Sequence, residues 1–269
     1  MKYTIPMLLS MCLFNNNLRS DETTQQLVEY GTENGYNDCN FFTNGENYCL
    51  SKHLNKSSQI IFDVGANVGD WTLMALSNAP KAKIHAFEPQ PEIFEILTKK
   101  TTTANVECLP FGLSNFTGVA NFWVWGDHAD IEKSGLNGLH YRQILVDNFN
   151  QNPISIEVPL STLDDYCEKN EIEHIDYLKI DTEGNELFVL LGAKKMISNR
   201  HIKVIQFEYG GCYLDSQTRL ESVYTLLKEN GFAISRILPI DLEAIPAWDP
   251  ELENFQYSNY IAILEDAAS

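Results

Sequence analysis

The sequence predicts an α/β fold, with a mostly parallel sheet, helices on both faces and an irregular N-terminal segment. From Gln59 onward, apolar runs of strand length alternate with stretches of helical spacing, the signature of strands joined by helical crossovers. Turn residues stand between these runs, and no internal repeat or low-complexity tract points to a solenoid or a disordered chain. At 269 residues, 44% of them apolar, the chain is long enough for one sizeable domain with an appendage.

Lys2 followed by Thr4 to Phe14 has the outline of a signal peptide. The NNNLRS that follows offers no small-x-small cleavage pattern and the apolar run is too short to cross a bilayer, so a short docking helix is expected. Residues 15–57 are polar with aromatic islands (Tyr36, Phe41, Phe42, Tyr48), and 1–57 reads as an irregular cap on the substrate side of a domain spanning 58–269. IIFDV, KIHAFEP and VECLPF are expected as the first three strands, separated by helices at WTLMALSNA and PEIFEILTKKTT. Pro91 suits the first turn of the second helix, and Ile93, Ile96 and Leu97 share one of its faces.

GVANFWVW and ISIEVPL read as strands flanking a polar, glycine-bearing insertion at about 126–143, placed over one end of the sheet. Trp123 and Trp125, two apart on a strand, are expected to face the same side and pack on that insertion. Ser161 or Thr162 caps the helix in STLDDYCEKN. IDYLKI and KVIQFEY are strands on either side of one helical stretch through ELFVLLGAKKMI. An amphipathic helix carrying Leu220, Val223, Tyr224 and Leu227 ends at Gly231, and FAISRILPI and FQYSNYIAIL close the chain as an antiparallel hairpin at the sheet edge.

With 19 basic against 37 acidic side chains the net charge is −18, a field that repels phosphate backbones and argues against nucleic acid as a partner. No stretch of 18 apolar residues offers an integral membrane segment. The six cysteines form no CxxC and no metal-ligand spacing with histidine. Cys108 and Cys212 suit small buried hydrophobes, and Cys39 and Cys49 would bridge only in an oxidising compartment. The thiols are therefore read as reduced and the protein as cytoplasmic.

Chemistry concentrates at the predicted carboxyl ends of the strands, where open α/β sheets bind ligands. FDVGANVGD joins the first strand to the first helix, with Asp63 where a dinucleotide fingerprint has its first glycine, and Gly65 and Gly69 allowing close backbone approach. A carboxylate there repels a pyrophosphate and attracts an ammonium or sulfonium. Glu88 ends the next strand, where an acid accepts hydrogen bonds from ribose hydroxyls. YLKIDTEGNE sets Asp181, Glu183 and Glu186 beyond the fourth strand, with Glu186 read as complementing the following helix N-terminus, and Glu208 ends the fifth. No G-x-G-x-x-G, G-x-S-x-G or GK[ST] occurs, which removes nicotinamide oxidoreductases, serine hydrolases and P-loop nucleotidases.

In FDVGANVGDWT, AFEPQPEIFEIL, PLSTLDDY, YLKIDTEGNE and VIQFEY, in that order, the chain from about Gln59 to Leu264 resembles the FkbM family of S-adenosylmethionine-dependent methyltransferases. The resemblance implies a class I methyltransferase fold of seven strands with the last antiparallel. It also implies S-adenosylmethionine as cofactor and O-methylation of a sugar, glycan or small natural product. By position it implies cofactor contacts from Asp63, Gly65, Ala66, Asn67, Gly69, Glu88 and Asp181, with Ser114 standing where the wider superfamily often has an acid. Asp181, Glu183, Glu208, His128 and His140 are candidate bases for an acceptor hydroxyl, Glu183 foremost. The acids would accept Mg²⁺, although no arrangement demands a metal. The rival reading is a regulatory protein that binds the adenosyl ligand without catalysis.

Overall fold

Ile61 and Phe62, adjacent in the run IIFDV, point into two different cores, because successive side chains of a strand face opposite ways. The run forms β1 (Ile60–Val64) at the middle of the main sheet. The computed structural model describes residues 36–40, 43–102, 105–126, 131 and 133–265. Thr4 to Phe14, Phe41, Phe42 and His128 lie outside the described residues.

β1 is flanked in parallel by β2 (Lys83–Phe87) and β7 (Ile175–Ile180). Beyond β2 lies β3 (Val106–Leu109), and beyond β7 lies β8 (Ile202–Tyr209), again in parallel. The chain enters at the centre and runs first to one side and then to the other, so β1 and β7 flank the point where strand order reverses, the natural ligand crevice of such a sheet.

The expected C-terminal hairpin is rearranged. The tight hairpin joins β9 (Phe232–Ile237) to a short edge strand, β10 (Leu242–Ala244). The final strand, β11 (Ser258–Leu264), inserts between β8 and β9 and is antiparallel to both. Its core Tyr260-Ile-Ala-Ile is apolar on both faces, which suits an interior strand and not an edge. The sheet thus has eight strands: the expected seven with the last antiparallel, plus β10.

Helices α1 (Glu46–His53) and α2 (Asp70–Asn78) cover one face, burying Cys49, Leu50, Trp71 and Ala75 against Ile61, Ile84, Tyr177 and Ile261. α1 corrects the expectation of an irregular cap, because residues 46–54 belong to the domain core. α3 (Pro91–Lys100) packs beside β3, with Pro91 in its first turn and Ile93 and Leu97 buried.

The single helix expected through ELFVLLGAKKMI is two, α6 (Glu186–Leu191) and α7 (Lys194–Ser198). At the break, a Cβ on Gly192 would stand 2.1 Å from the Ser114 carbonyl oxygen. Together with α5 (Leu163–Lys169), capped by Thr162, and α9 (Leu220–Glu229), these helices cover the opposite face. Gly231 takes the left-handed conformation expected of it just beyond α9.

A small second sheet was not foreseen. β5 (Gly118–Val124) pairs antiparallel with β6 (Ile154–Ser161), and β6 pairs with the two-residue β4 (Gly112–Leu113). The insertion leaves β5 and returns through α4 (Gln143–Phe149). Trp125 is buried with Leu136 and Leu145, while Trp123 lies 5.0 Å from the Tyr141 ring, so the two indoles diverge although both pack.

Candidate active site

Register places Asp63 of β1 opposite Lys179 of β7, and Lys179 opposite Gln206 of β8, so three polar residues form a row on one face of the sheet. The row is buried, and a buried charge needs a partner. Lys179 Nζ lies 3.4 Å from Asp63 Oδ1, 3.1 Å from Asp181 Oδ2 and 5.6 Å from the centre of the Trp71 ring. Thr72 of α2 donates to Asp63 Oδ2 at 2.5 Å. Burial alone would lower the lysine pKa, but Asp181, Asp63 and Glu46 outweigh it and hold the ammonium charged.

The turn after β1 is shaped by backbone. Gly65 has φ +81°, and a Cβ there would sit 1.8 Å from the Asp181 carbonyl oxygen. The amides of Gly65 and Ala66 both donate to the Phe87 carbonyl, tying the turn to the end of β2. Gly69, also left-handed, precedes α2 against Leu97 and Thr101. Glu88 accepts from the Asn67 amide at 3.0 Å and the Gln90 amide at 2.9 Å. Burial pushes its carboxyl up to about 7.

A cleft of about 460 Å³ opens over these strand ends. Gly65, Ala66, Asn67, Glu88, Asp181, Glu183 and Glu208 line it. Asp63 and Gly69 do not: Asp63 is fully buried behind the surface, holding Lys179, and Gly69 sets the turn. Ser114 is corrected as a contact candidate, because it lies outside the lining and its hydroxyl donates to Asn185 at 3.2 Å.

Carboxylate oxygens of Asp181, Glu183 and Glu208 lie within 4.8 Å of one another. Glu208 is buried, and burial, then the charges of Asp181 and Glu183 and a hydrogen bond with Asp181, drive its pKa well up. Burial opposes ionisation of Asp181, but Lys179 and that hydrogen bond hold it below the ordinary carboxylate value. Glu183, strained at φ 54°, is pushed up to about 7 by burial, against the pull of Arg142. Glu186 accepts from the Thr182 amide at 2.7 Å and the Gly184 amide at 3.3 Å, the local helix-start role expected of it.

The insertion and the segment before β1 complete the cleft, and sequence reasoning did not name the residues they bring there, Ser134, Asn137, Arg142 and Glu46. Arg142 is buried, its Nη1 2.5 Å from Glu183 Oε2 and its Nε 3.5 Å from Asp215. Ser134 donates to Asn67 at 2.8 Å, and Asn137 donates to Gln90 at 2.7 Å. Glu46, the first residue of α1, also lines the cleft. His140 does not line it: the ring lies 5.7 Å from Phe188, and burial lowers its pKa to about 4. His140 is corrected as a candidate base, and His128 lies outside the described residues. Cys39 is disulfide-bonded while Cys49, Cys108, Cys167 and Cys212 are free, which corrects both the all-reduced reading and the pairing of Cys39 with Cys49.

The arrangement sets together a backbone-lined turn, the buried carboxyl of Glu88, acids gathered around Lys179, and the strand-end acids Asp181, Glu183 and Glu208. The profile described as Methyltransferase FkbM domain matches residues 63–234. Hexuronic acid methyltransferase AglP of Haloferax volcanii is 25% identical over 189 residues, spanning 67% of this chain and 72% of that protein. The 31-O-demethyl-FK506 methyltransferase FkbM of Streptomyces tacrolimicus is 28% identical over 201 residues, 66% of this chain and 74% of that one. 2-O-methyltransferase NoeI of Sinorhizobium fredii is 26% identical over 190 residues, with 65% and 73% covered. A solved methyltransferase FkbM from Methylobacillus flagellatus aligns with TM-score 0.48 at 15% identity, over 96% of this chain and 58% of that one. The chain belongs to the FkbM methyltransferase family.

Proposed function

We propose that the protein transfers a methyl group from S-adenosylmethionine to a hydroxyl of a sugar, glycan or small natural product, with Glu183 as the base. The observation that carries this reading is the cleft itself: a side-chain-free turn at Gly65, Glu88 beyond it, and the acidic trio at the neighbouring strand ends. The donor set suits an adenosyl sulfonium. Glu88 keeps lone pairs for two hydroxyls, Gly65 leaves room where a Cβ would collide, and Asp181 stays anionic. Relatives whose names specify a hexuronic acid, a 2-O position and a natural-product oxygen support a hydroxyl acceptor.

When bound, the cofactor supplies a methyl already activated by positive sulfur, so the chain has to align the acceptor, exclude water and remove a proton. Glu183, with its pKa near neutrality, is matched to proton removal from an alcohol. Arg142 fixes its carboxylate from the insertion, and Leu136 and Leu139 of the same segment help keep water from the cleft. Glu208 holds its proton toward Asp181 and so keeps that carboxylate oriented.

Mg²⁺ is left out of this mechanism. Asp181 is paired with Lys179 and Glu183 with Arg142, so two of the three acids already have a cation within the chain. Unchanged turnover in EDTA is the expected check. Among the described residues no helix is long and apolar enough to cross a membrane. The cytoplasmic expectation rested on reduced thiols, and the Cys39 disulfide withdraws that ground, since such bonds persist in oxidising compartments.

The test is calorimetric titration with S-adenosylmethionine, S-adenosylhomocysteine and NADH, followed by labelled-methyl transfer to a panel of uronic acids, glycosides and hydroxylated natural products. Micromolar binding of the adenosyl ligands alone, with transfer to a hydroxyl acceptor, is expected. Binding without transfer to any acceptor would favour the regulatory reading, and no binding by the folded protein would overturn both.

A further inference from the structure

Glu46 comes from the segment ahead of β1, outside the stretch matched by the family profile. Its carboxylate is buried over the row of Asp63, Lys179 and Gln206. Gly45 sets it there: φ is +96°, and a Cβ on Gly45 would lie 2.0 Å from the Leu238 carbonyl oxygen, so the start of α1 is locked against the loop after β9.

Two neutral amides then fix the side chain. Asn44 donates to Oε1 at 2.8 Å while its own oxygen accepts from the Glu46 amide at 3.0 Å. Gln206 donates to Oε2 at 2.6 Å, and Gln206 is itself held by the Tyr177 hydroxyl at 2.6 Å. Each carboxylate oxygen keeps a lone pair beyond these bonds.

Three carboxyl groups share one local cation. Glu46, Asp63 and Asp181 surround one cation, Lys179, whose direct contacts are with Asp63 and Asp181. A carboxylate buried among neutral amides is costly unless a positive group completes it. Asp63 is sealed from the cleft, whereas Glu46 faces it.

We propose that Glu46 binds the α-ammonium of the cofactor's amino-acid end, making the N-terminal segment part of the cofactor site. Burial raises the Glu46 pKa, and Lys179 opposes that rise. The proposal rests on the adenosyl reading given above.

The experiment is a cycle of two proteins and two ligands, read by calorimetry. Wild type and Glu46→Gln are each titrated with S-adenosylhomocysteine and with its desamino analogue, which keeps the carboxylate and the adenosyl group. The expected result is that Glu46→Gln and removal of the amino group each weaken binding at least tenfold, and that together they cost little more than either alone. Equal weakening of both ligands by Glu46→Gln, or no weakening of S-adenosylhomocysteine, would overturn the assignment. If wild type binds neither ligand, the adenosyl reading itself falls, an outcome distinct from selective failure of Glu46. Should Glu46→Gln not fold, wild type carries the ligand comparison and Glu46→Asp, which keeps the charge, takes its place in the cycle with a smaller expected loss. Indifference of wild type to the amino group then overturns the proposal.

Discussion

Arg142 of the insertion and Glu183 beyond β7 meet at 2.5 Å, Nη1 to Oε2, and join a segment outside the main sheet to the acid proposed above as the base. Arg142 is the cation that opposes the rise in the Glu183 pKa, against burial and the charges of Asp181 and Glu186. With Arg142→Ala those upward influences are unopposed. The acid limb of kcat/KM, expected near pH 7 in wild type, moves to higher pH, and activity at neutral pH falls roughly tenfold for each unit moved. Arg142→Lys restores part of the shift, because it keeps the charge and loses the fork. Profiles that coincide for all three proteins would show that Glu183 is not the titrating group.

Glu186 predicts how stability depends on pH. Its folded pKa is raised from 4.5 to about 7, by burial first. A carboxyl whose pKa rises on folding stabilises the fold fully below its unfolded value and loses that contribution as pH climbs through the folded one. The ligand-free protein is therefore expected to melt lower at pH 8 than at pH 5.5. Glu186→Gln keeps an oxygen for the Thr182 and Gly184 amides without the charge, so it should flatten this slope and raise the melting temperature at pH 8. Scanning calorimetry decides, and an unchanged slope would remove Glu186 as a contributor.

The β1 turn, Glu88 and the strand-end acids were legible in sequence because each sits at a fixed offset from an apolar run. Asp63 was legible as important from its spacing at the turn, but only the register with Lys179 shows that it faces inward to hold the lysine. Arg142 and Glu46 carried no local signal. Their partners lie far along the chain, at Glu183 and Gln206, and only the completed sheet brings them together. β4, two residues long, has no periodicity to detect, and β5 and β6, each legible as a strand, pair with one another across the insertion, a contact no local pattern announces.

Gly65→Ala tests the turn. The added Cβ would overlap the Asp181 carbonyl oxygen in a backbone conformation alanine disfavours, so the turn must shift. The expected loss is at least ~2 kcal/mol in urea unfolding, with adenosyl binding lost in protein that remains folded. Wild-type affinity in a stable Gly65→Ala protein would show that the turn does not hold the cofactor.

Lys179 tests the anionic centre from within. Lys179→Met leaves Asp63 fully buried, with Thr72 its remaining hydrogen-bond partner, and leaves Asp181 beside Glu208 without its cation. Removing one partner of a buried pair typically costs about 3–5 kcal/mol, because the other charge is left uncompensated. Adding Asp63→Asn removes that charge while keeping an oxygen for Thr72, so the double variant should recover a large part of the loss in urea unfolding. If the two substitutions instead add, Lys179 and Asp63 are not coupled, and the pair between them does not hold the anionic centre together.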